Sequence, residues 1–153
     1  MSRAERAKEY FLQGYACSQA VALAFTDLIG INEEDISKLM LPFGGGLGRL
    51  RLTCGAVSGM AFVIGALYAE KENTTENKKK VYAIVQELCG KFQAQTGSLI
   101  CAELLSGMKV PVEVGGVAEA RTAEYYKKRS CADMVALAVG ILETYIQENK
   151  PAK

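Results

Sequence analysis

The sequence predicts an all-α fold, a single-domain bundle of about six to eight helices around a central, buried helix rich in glycine and alanine. Apolar residues recur mostly at helical spacing, and alternating, strand-like stretches are nearly absent. Half of the 153 residues are hydrophobic, which is enough to bury one core in a chain of this length. We therefore treat residues 1–153 as one helical domain.

The first part of the chain predicts three helices. They are expected over residues 2–13, 17–28 and about 32–41. Gly14 and Gly30 follow the first two and are suited to end them, because glycine readily adopts the left-handed conformation of a helix C-terminus. Asn32 begins N-E-E-D, a helix cap with an acidic first turn, and Pro42 cannot continue that helix.

The rest of the chain predicts a central helix and four more. The central helix is expected over residues 53–70, and a polar connection, 71–80, leads to a long helix that stops at Gly97. The last three helices are expected over residues 98–105, 117–128 and 131–149. The stretch V-P-V-E-V-G-G, residues 110–116, is typical of irregular or briefly extended chain.

The central segment lies within an uncharged run, Leu52 to Ala69, whose eighteen residues approach the length of a membrane span. Half of these residues are Gly, Ala, Ser or Thr, so the run has little lipophilic surface, and a helix enclosed by its neighbours is the better interpretation. Gly55 and Gly59 lie four positions apart on one face. They should allow another backbone to approach closely.

Charge and composition exclude several classes of function. Eighteen basic residues balance seventeen acidic ones, so no net field attracts nucleic acid or an anionic membrane. The first ten residues mix both charge signs and lack the apolar core of a secretory signal, so we expect a cytoplasmic protein. The chain has no histidine, so catalysis or metal binding must depend on sulfur, carboxylates or backbone groups.

The five cysteines are the main candidates for chemistry, and no C-x-x-C pair occurs among them. Four are expected at helix starts, where unpaired N–H groups and the helix dipole favour thiolate over thiol. These four are Cys17, Cys54, Cys101 and Cys131. Thr53 is the expected cap before Cys54, and Ser130 with Asp133 fits a capping box around Cys131. Cys89 lies in mid-helix and is expected to be a buried packing residue.

A glycine-rich loop, P-F-G-G-G-L-G-R-L-R over residues 42–51, precedes the central helix. It matches neither the dinucleotide-binding nor the Walker phosphate motif, so a tight connection is favoured over an anion site. A third interpretation is that its backbone N–H groups donate to the sulfur of Cys54. The candidate cofactor-binding residues here are Gly44, Gly45, Gly46, Arg49 and Gly55.

Several of these motifs resemble the family of redox-active proteins named C_GCAxxG_C_C after its cysteine pattern. The matching pieces are G-Y-A-C-S-Q-A-V (14–21), F-G-G-G-L-G-R (43–49), C-G-A-V-S-G (54–59), C-A-E-L-L (101–105) and Cys131. The family's four recurrent cysteines correspond to the four predicted at helix starts. Ala16 and Ala132 depart from the asparagine and proline that members often carry there, and neither departure removes a sulfur.

The resemblance implies an all-helical, redox-type protein, similar in fold to part of split-Soret cytochrome c and sometimes encoded near transporter components. Haem is not carried over, because this chain has no histidine and no C-x-x-C-H motif.

Three functions stay open. In the first, the four cysteines perform thiol–disulfide chemistry with an unidentified redox partner, as in a thiol-dependent oxidoreductase, with Cys54 the preferred nucleophile because glycines and two arginines lie near it. In the second, the same four cysteines bind a soft metal ion or an iron–sulfur cluster. In the third, the cysteines are packing residues of a structural subunit, such as a homodimer or an accessory of a transport system.

Overall fold

A computed structural model describes residues 1–152, and within them the chain is helical, with no β-strand beyond an isolated antiparallel bridge between Thr53 and Ile100. The helices are α1 (Arg3–Leu12), α2 (Cys17–Leu23), α3 (Thr26–Ile29), α4 (Glu33–Met40), α5 (Gly44–Leu47), α6 (Gly55–Tyr68), α7 (Thr75–Thr96), α8 (Cys101–Gly107), α9 (Ala123–Lys128) and α10 (Cys131–Glu148). A 3-10 turn, Leu41–Phe43, joins α4 to α5. The predicted all-α class is confirmed.

Several predicted helix ends are confirmed. The Asn32 side chain accepts a hydrogen bond from the Asp35 N–H group at 2.9 Å and begins α4, while Gly97, with φ of 91°, ends α7. Gly30 has φ of 79° and ends α3. Each residue satisfies backbone groups that the terminal turn would otherwise leave without a partner.

Other predicted boundaries are wrong. The helix expected over 17–28 is divided at Ala24 and Phe25 into α2 and α3. The long helix begins at Thr75, inside the expected connection, because the Thr74 side chain accepts a hydrogen bond from the Asn77 N–H group at 3.1 Å and caps it there.

Two later helices also begin further along the chain than predicted. The helix expected from residue 117 begins at Ala123, where Thr122 provides the cap by accepting from the Tyr125 N–H group at 3.2 Å. The helix expected over 98–105 occupies Cys101–Gly107 instead. Residues 110–116 are irregular, as predicted.

The central position of α6 is also confirmed, since α2, α7 and α10 all pack against it. Its residues Ala56, Met60, Val63 and Ile64 are fully buried, and they belong to the largest hydrophobic cluster in the described chain. Burial of such side chains supplies most of the favourable free energy of folding. This cluster fixes where the first residues of α2, α6 and α10 lie.

Helices α2 and α6 meet through glycine, as the spacing of Gly55 and Gly59 predicts. A Cβ atom at Gly55 would lie 3.2 Å from the Ser18 backbone nitrogen, and one at Gly59 would lie 2.9 Å from the Val21 Cβ atom. Any larger side chain would push the two helices apart. The glycines therefore set the distance between the starts of these helices.

None of the helices within residues 1–152 combines the length and the apolar character required to cross a lipid bilayer.

Candidate functional site

A cavity of about 310 Å³ opens where the N-terminal ends of α2, α6, α8 and α10 come together. Four sulfur-bearing residues line it, and they are Cys17, Cys54, Cys101 and Cys131. Cys54 is buried, whereas the other three are partly exposed. The four cysteines predicted at helix starts thus share one cavity.

Cys89 is not among the residues that line this cavity. It lies in the middle of α7, is partly buried and packs against the main hydrophobic cluster. The expected packing role agrees with this position, although its burial is incomplete.

Gly55 brings the first two cysteines together. Cys17 is the first residue of α2, and Cys54 is the N-cap of α6, so the expected cap at Thr53 is displaced by one residue. A Cβ atom at Gly55 would lie 3.2 Å from the Cys17 Cβ atom. The absence of a side chain at Gly55 therefore allows the two helix starts to approach.

A short stretch of paired backbone places Cys101 beside Cys54. The Cys54 N–H group donates to the Leu99 carbonyl oxygen at 2.8 Å, and the Cys101 N–H group donates to the Leu52 carbonyl oxygen at 2.6 Å. These bonds hold the segment before α6 against the segment before α8. The helices consequently begin side by side, each with a cysteine at its start.

Cys131 is the first residue of α10, after the N-cap Ser130. The expected capping box does not form, because the Ser130 side chain makes no capping hydrogen bond. The Asp133 carboxylate lies instead 3.3 Å from the Lys8 ammonium nitrogen on the surface. Helix α10 is anchored by its buried face, on which Val135 and Val139 are inaccessible to solvent.

Cys17 and Cys131 line the same cavity, and hydrogen bonding between their thiols shifts their two pKa values in opposite directions. This bond, aided by the positive charges of Arg129 and Arg121, holds the pKa of Cys131 below its ordinary value despite burial. The same bond, together with burial, raises the pKa of Cys17. The pair therefore favours a thiolate at Cys131 and a thiol at Cys17.

The expectation that a helix start lowers the pKa of every cysteine in this set is wrong for three of them. Besides Cys17, burial raises the pKa of Cys54 to about 12, although the Ala56 and Val57 N–H groups act to lower it. Burial also raises the pKa of Cys101, against an opposing hydrogen bond from Arg51. Loss of hydration outweighs the helix start at these positions.

The polar wall of the cavity is mainly cationic. Arg49, Arg51, Arg121 and Arg129 line it, together with one carboxylate, Glu119. Although burial acts to raise it, the pKa of Glu119 is held below its ordinary value by the hydrogen bond from Arg49 and the nearby charge of Arg129.

Three guanidinium groups share the Glu119 carboxylate. Arg49 pairs with it directly, Arg51 lies 3.4 Å away and Arg129 lies 3.5 Å away. Arg51 also donates to the Glu113 carbonyl oxygen at 2.9 Å and contacts the Cys101 sulfur at 3.8 Å. One carboxylate thus organises three cations around the sulfurs.

Arg121 is held differently from the other arginines. It donates to the carbonyl oxygens of Phe11 at 3.0 Å and Tyr15 at 3.1 Å. Its guanidinium carbon lies 4.5 Å from the centre of the Phe11 ring and 4.9 Å from that of Tyr125. The stacking and the two carbonyls orient this cation without a carboxylate partner among the described residues.

The glycine-rich loop forms one side of the cavity, and all five candidate cofactor-binding residues line it. A Cβ atom at Gly46 would lie 2.6 Å from the Cys101 Cβ atom, and one at Gly44 would lie 2.7 Å from the Ala16 Cβ atom. The loop therefore lies against the starts of α2 and α8. The groups that act on the Cys54 sulfur are N–H groups of α6 itself, so the expected donation from the loop is wrong.

Backbone conformation in this loop is unusual, because Arg49 and Arg51 have φ of 66° and 62°. Such left-handed conformations cost a non-glycine residue on the order of 1 kcal/mol each. The Arg49 and Arg51 N–H groups donate to the Gly44 and Gly45 carbonyl oxygens at 3.2 and 3.1 Å. Since these N–H groups are used inside the loop, the geometry agrees with a tight connection that directs two arginine side chains.

Sequence reasoning missed Arg121, Arg129, Glu119 and Tyr125 as residues of the cavity. Arg129 precedes Cys131 by two positions, and a cation so close in sequence to a cysteine at a helix start indicates that it can lie near the sulfur. Nothing in the spacing of residues 119–125 points to the cavity, since their positions depend on long-range contacts to α1 and to the glycine-rich loop.

No group of three or more Cys, Asp or Glu side chains in the described part of the chain is arranged to hold a metal ion. The predicted four-cysteine metal or iron–sulfur site is therefore not confirmed.

The chain matches a known family model. The family model described as "Putative redox-active protein (C_GCAxxG_C_C)" matches residues 15–145, which is well over half of the chain. Searches of curated proteins and of solved structures found no match.

Proposed function

Because this chain belongs to the C_GCAxxG_C_C family of redox-active proteins, we propose that it performs thiol–disulfide exchange with Cys131 as the attacking thiolate and Cys17 as the resolving thiol. One observation carries the proposal. Cys17 and Cys131 line one cavity with Arg121 and Arg129, and the interaction with Cys17 and the charge of these arginines lower the pKa of Cys131. The thiolate is the nucleophile in disulfide exchange, so a lowered pKa increases the reactive fraction.

The exchange takes place in two steps. The Cys131 thiolate attacks one sulfur of a substrate disulfide, forming a mixed disulfide and releasing the first substrate thiolate. The Cys17 thiol then loses its proton and attacks the Cys131 sulfur, which releases the second thiolate and forms a Cys17–Cys131 disulfide. The protein loses two electrons, and the substrate disulfide accepts them and becomes one thiol, which takes the proton from Cys17, and one thiolate.

Cys54 and Cys101 have supporting roles in this proposal. Both have raised pKa values and therefore remain protonated near neutral pH. They surround the reacting pair with neutral sulfur and do not compete for the substrate.

The test is to oxidise the reduced full-length protein with a limiting amount of a small disulfide and to map the products by peptide mass spectrometry. The expected first protein disulfide joins Cys17 to Cys131, and dithiothreitol should reverse it. Cys131→Ser should abolish formation of the mixed disulfide. Cys17→Ser should instead trap the mixed disulfide at Cys131.

Cys89→Ser is the matched control, since Cys89 does not line the cavity and should leave the pattern unchanged. A first disulfide that excludes Cys131 would contradict the assignment of the nucleophile. Four thiols that remain reduced and separate throughout the titration would contradict thiol–disulfide exchange altogether.

A further inference from the structure

The cavity has a marked imbalance of charge. Four guanidinium groups line the cavity, and the acidic side chain that lines it with them is Glu119. Glu113, which also contacts Arg49, is 71% exposed, so solvent screens its charge strongly. Even with Cys131 as a thiolate, the wall keeps an excess of two positive charges.

Part of this cationic wall also has unused hydrogen-bonding capacity. The Nε atom of Arg49 is buried and has no hydrogen-bond partner. A buried donor without a partner is unfavourable by about 1–3 kcal/mol, so an acceptor supplied by a ligand would be stabilising. Guanidinium groups are well matched to carboxylates, to which they donate in pairs.

Size and polarity restrict the ligand further. A volume of about 310 Å³ is at the lower end of the range for small-molecule sites. Leu104, Leu105, Met108 and Met134 contribute an apolar part of the wall. The cavity therefore suits a short molecule with a negatively charged end and an apolar or sulfur-containing middle.

We propose that the substrate is a small disulfide carrying carboxylate groups, bound with its charge toward Arg49 and Arg129 and its sulfurs toward Cys131. This inference rests on the proposed exchange at Cys131 and adds the class of substrate. The arginines attract the anion and hold it, while the facing cysteines perform the exchange described above. A cationic disulfide of the same length meets repulsion at the same wall.

A series of three disulfides with equal arms tests the substrate class. The reduced protein reacts with 3,3′-dithiodipropionate (two negative charges), 2-hydroxyethyl disulfide (neutral) and cystamine (two positive charges). Each rate is divided by the rate at which the same disulfide reacts with free 2-mercaptoethanol thiolate, which corrects for the intrinsic reactivity of that disulfide. We expect the rate to fall in that order, with the anion ahead of the cation by on the order of tenfold at low salt. Addition of 0.5 M NaCl should reduce the difference.

The Arg49→Gln variant separates charge from fold. It should slow the reaction with 3,3′-dithiodipropionate by a larger factor than the reaction with 2-hydroxyethyl disulfide, so the ratio of the two rates falls, and circular dichroism reports whether the variant is folded. An equal loss with both disulfides would contradict an interaction between Arg49 and the carboxylate. Arg49 is suitable because Cys17, Arg129, Arg121 and Arg51, rather than Arg49, act on the pKa of Cys131.

A binding measurement that needs no exchange completes the design. Suberate and 1,6-hexanediamine are carbon analogues of the anionic and cationic disulfides, and each competes against alkylation of Cys131 by iodoacetamide. Protection by suberate alone is the expected result. Equal protection by both compounds, or cystamine reacting as fast as the dicarboxylate, overturns the anionic substrate. If none of the three disulfides reacts, the proposed exchange fails, and the suberate comparison alone decides whether the cavity selects anions.

Discussion

A Cβ atom placed on Gly59 would lie 2.8 Å from the Ser18 carbonyl oxygen, so α6 rests directly on the backbone of α2 at this point. The same contact positions Cys17, one residue before Ser18, against the start of α6. Close packing of two helices thus determines the geometry of the sulfur cavity.

The Gly59→Ala substitution should reduce the free energy of unfolding by about 1–3 kcal/mol, because the added methyl group has no space and the helices must separate. Urea denaturation measures the change. Gly65→Ala is the matched control in the same helix, since no heavy atom lies within 4 Å of the added Cβ atom. It should leave stability unchanged or raise it by up to about 1 kcal/mol. Equal effects of both substitutions would contradict the close contact.

The hydrogen bond from Cys17 should be visible in the titration of Cys131. Cys17→Ala removes the donor and should raise the pKa of Cys131, whereas Cys17→Ser retains an O–H donor and should raise it less. The rate of iodoacetamide alkylation at Cys131, followed against pH by mass spectrometry, gives the midpoint. Identical midpoints in wild type and both variants would show that this hydrogen bond does not act on Cys131.

Cys54 should make stability depend on pH in the alkaline range. Its pKa is about 12 in the folded chain, against an ordinary value of about 8.5 in an unfolded one. Between these values the unfolded state binds fewer protons than the folded state, so the free energy of unfolding decreases as pH rises. The stability advantage of wild type over Cys54→Ala should therefore fall by up to about 1.4 kcal/mol per pH unit above about pH 9.

Urea denaturation of the two proteins at pH 8.0 and 10.5 measures this difference, and groups that titrate in both proteins cancel. A constant difference between the two pH values would mean that Cys54 is more hydrated than the structure indicates.

Arg121 should stabilise the fold as well as the cavity, because it joins the chain before α9 to the end of α1. Arg121→Lys loses the paired donation to the Phe11 and Tyr15 carbonyl oxygens and should reduce the free energy of unfolding by about 1–3 kcal/mol. Arg6→Lys, at an exposed position of α1, is the control and should change it by less than about 0.5 kcal/mol. Similar small effects at both positions would contradict the structural role of Arg121.

The sequence alone was sufficient for the helical class, the central helix and the placement of four cysteines at helix starts. Asn32 and Gly97 are local signals, and periodicity and capping act over a few residues, so they can be recognised without tertiary information. The same local rules misplaced the starts of α7 and α9, because Thr74 and Thr122 were not recognised as caps.

Only the tertiary structure decided which sulfurs meet and which of them ionises readily. The Cys17–Cys131 pair joins residues more than a hundred positions apart, and the arginines around it come from the glycine-rich loop and from the chain around α9. A pKa depends on hydration, on charges within a few ångströms and on hydrogen-bond direction, none of which a position at a helix start specifies. For that reason the nucleophile that we propose is Cys131 and not Cys54, which the sequence favoured.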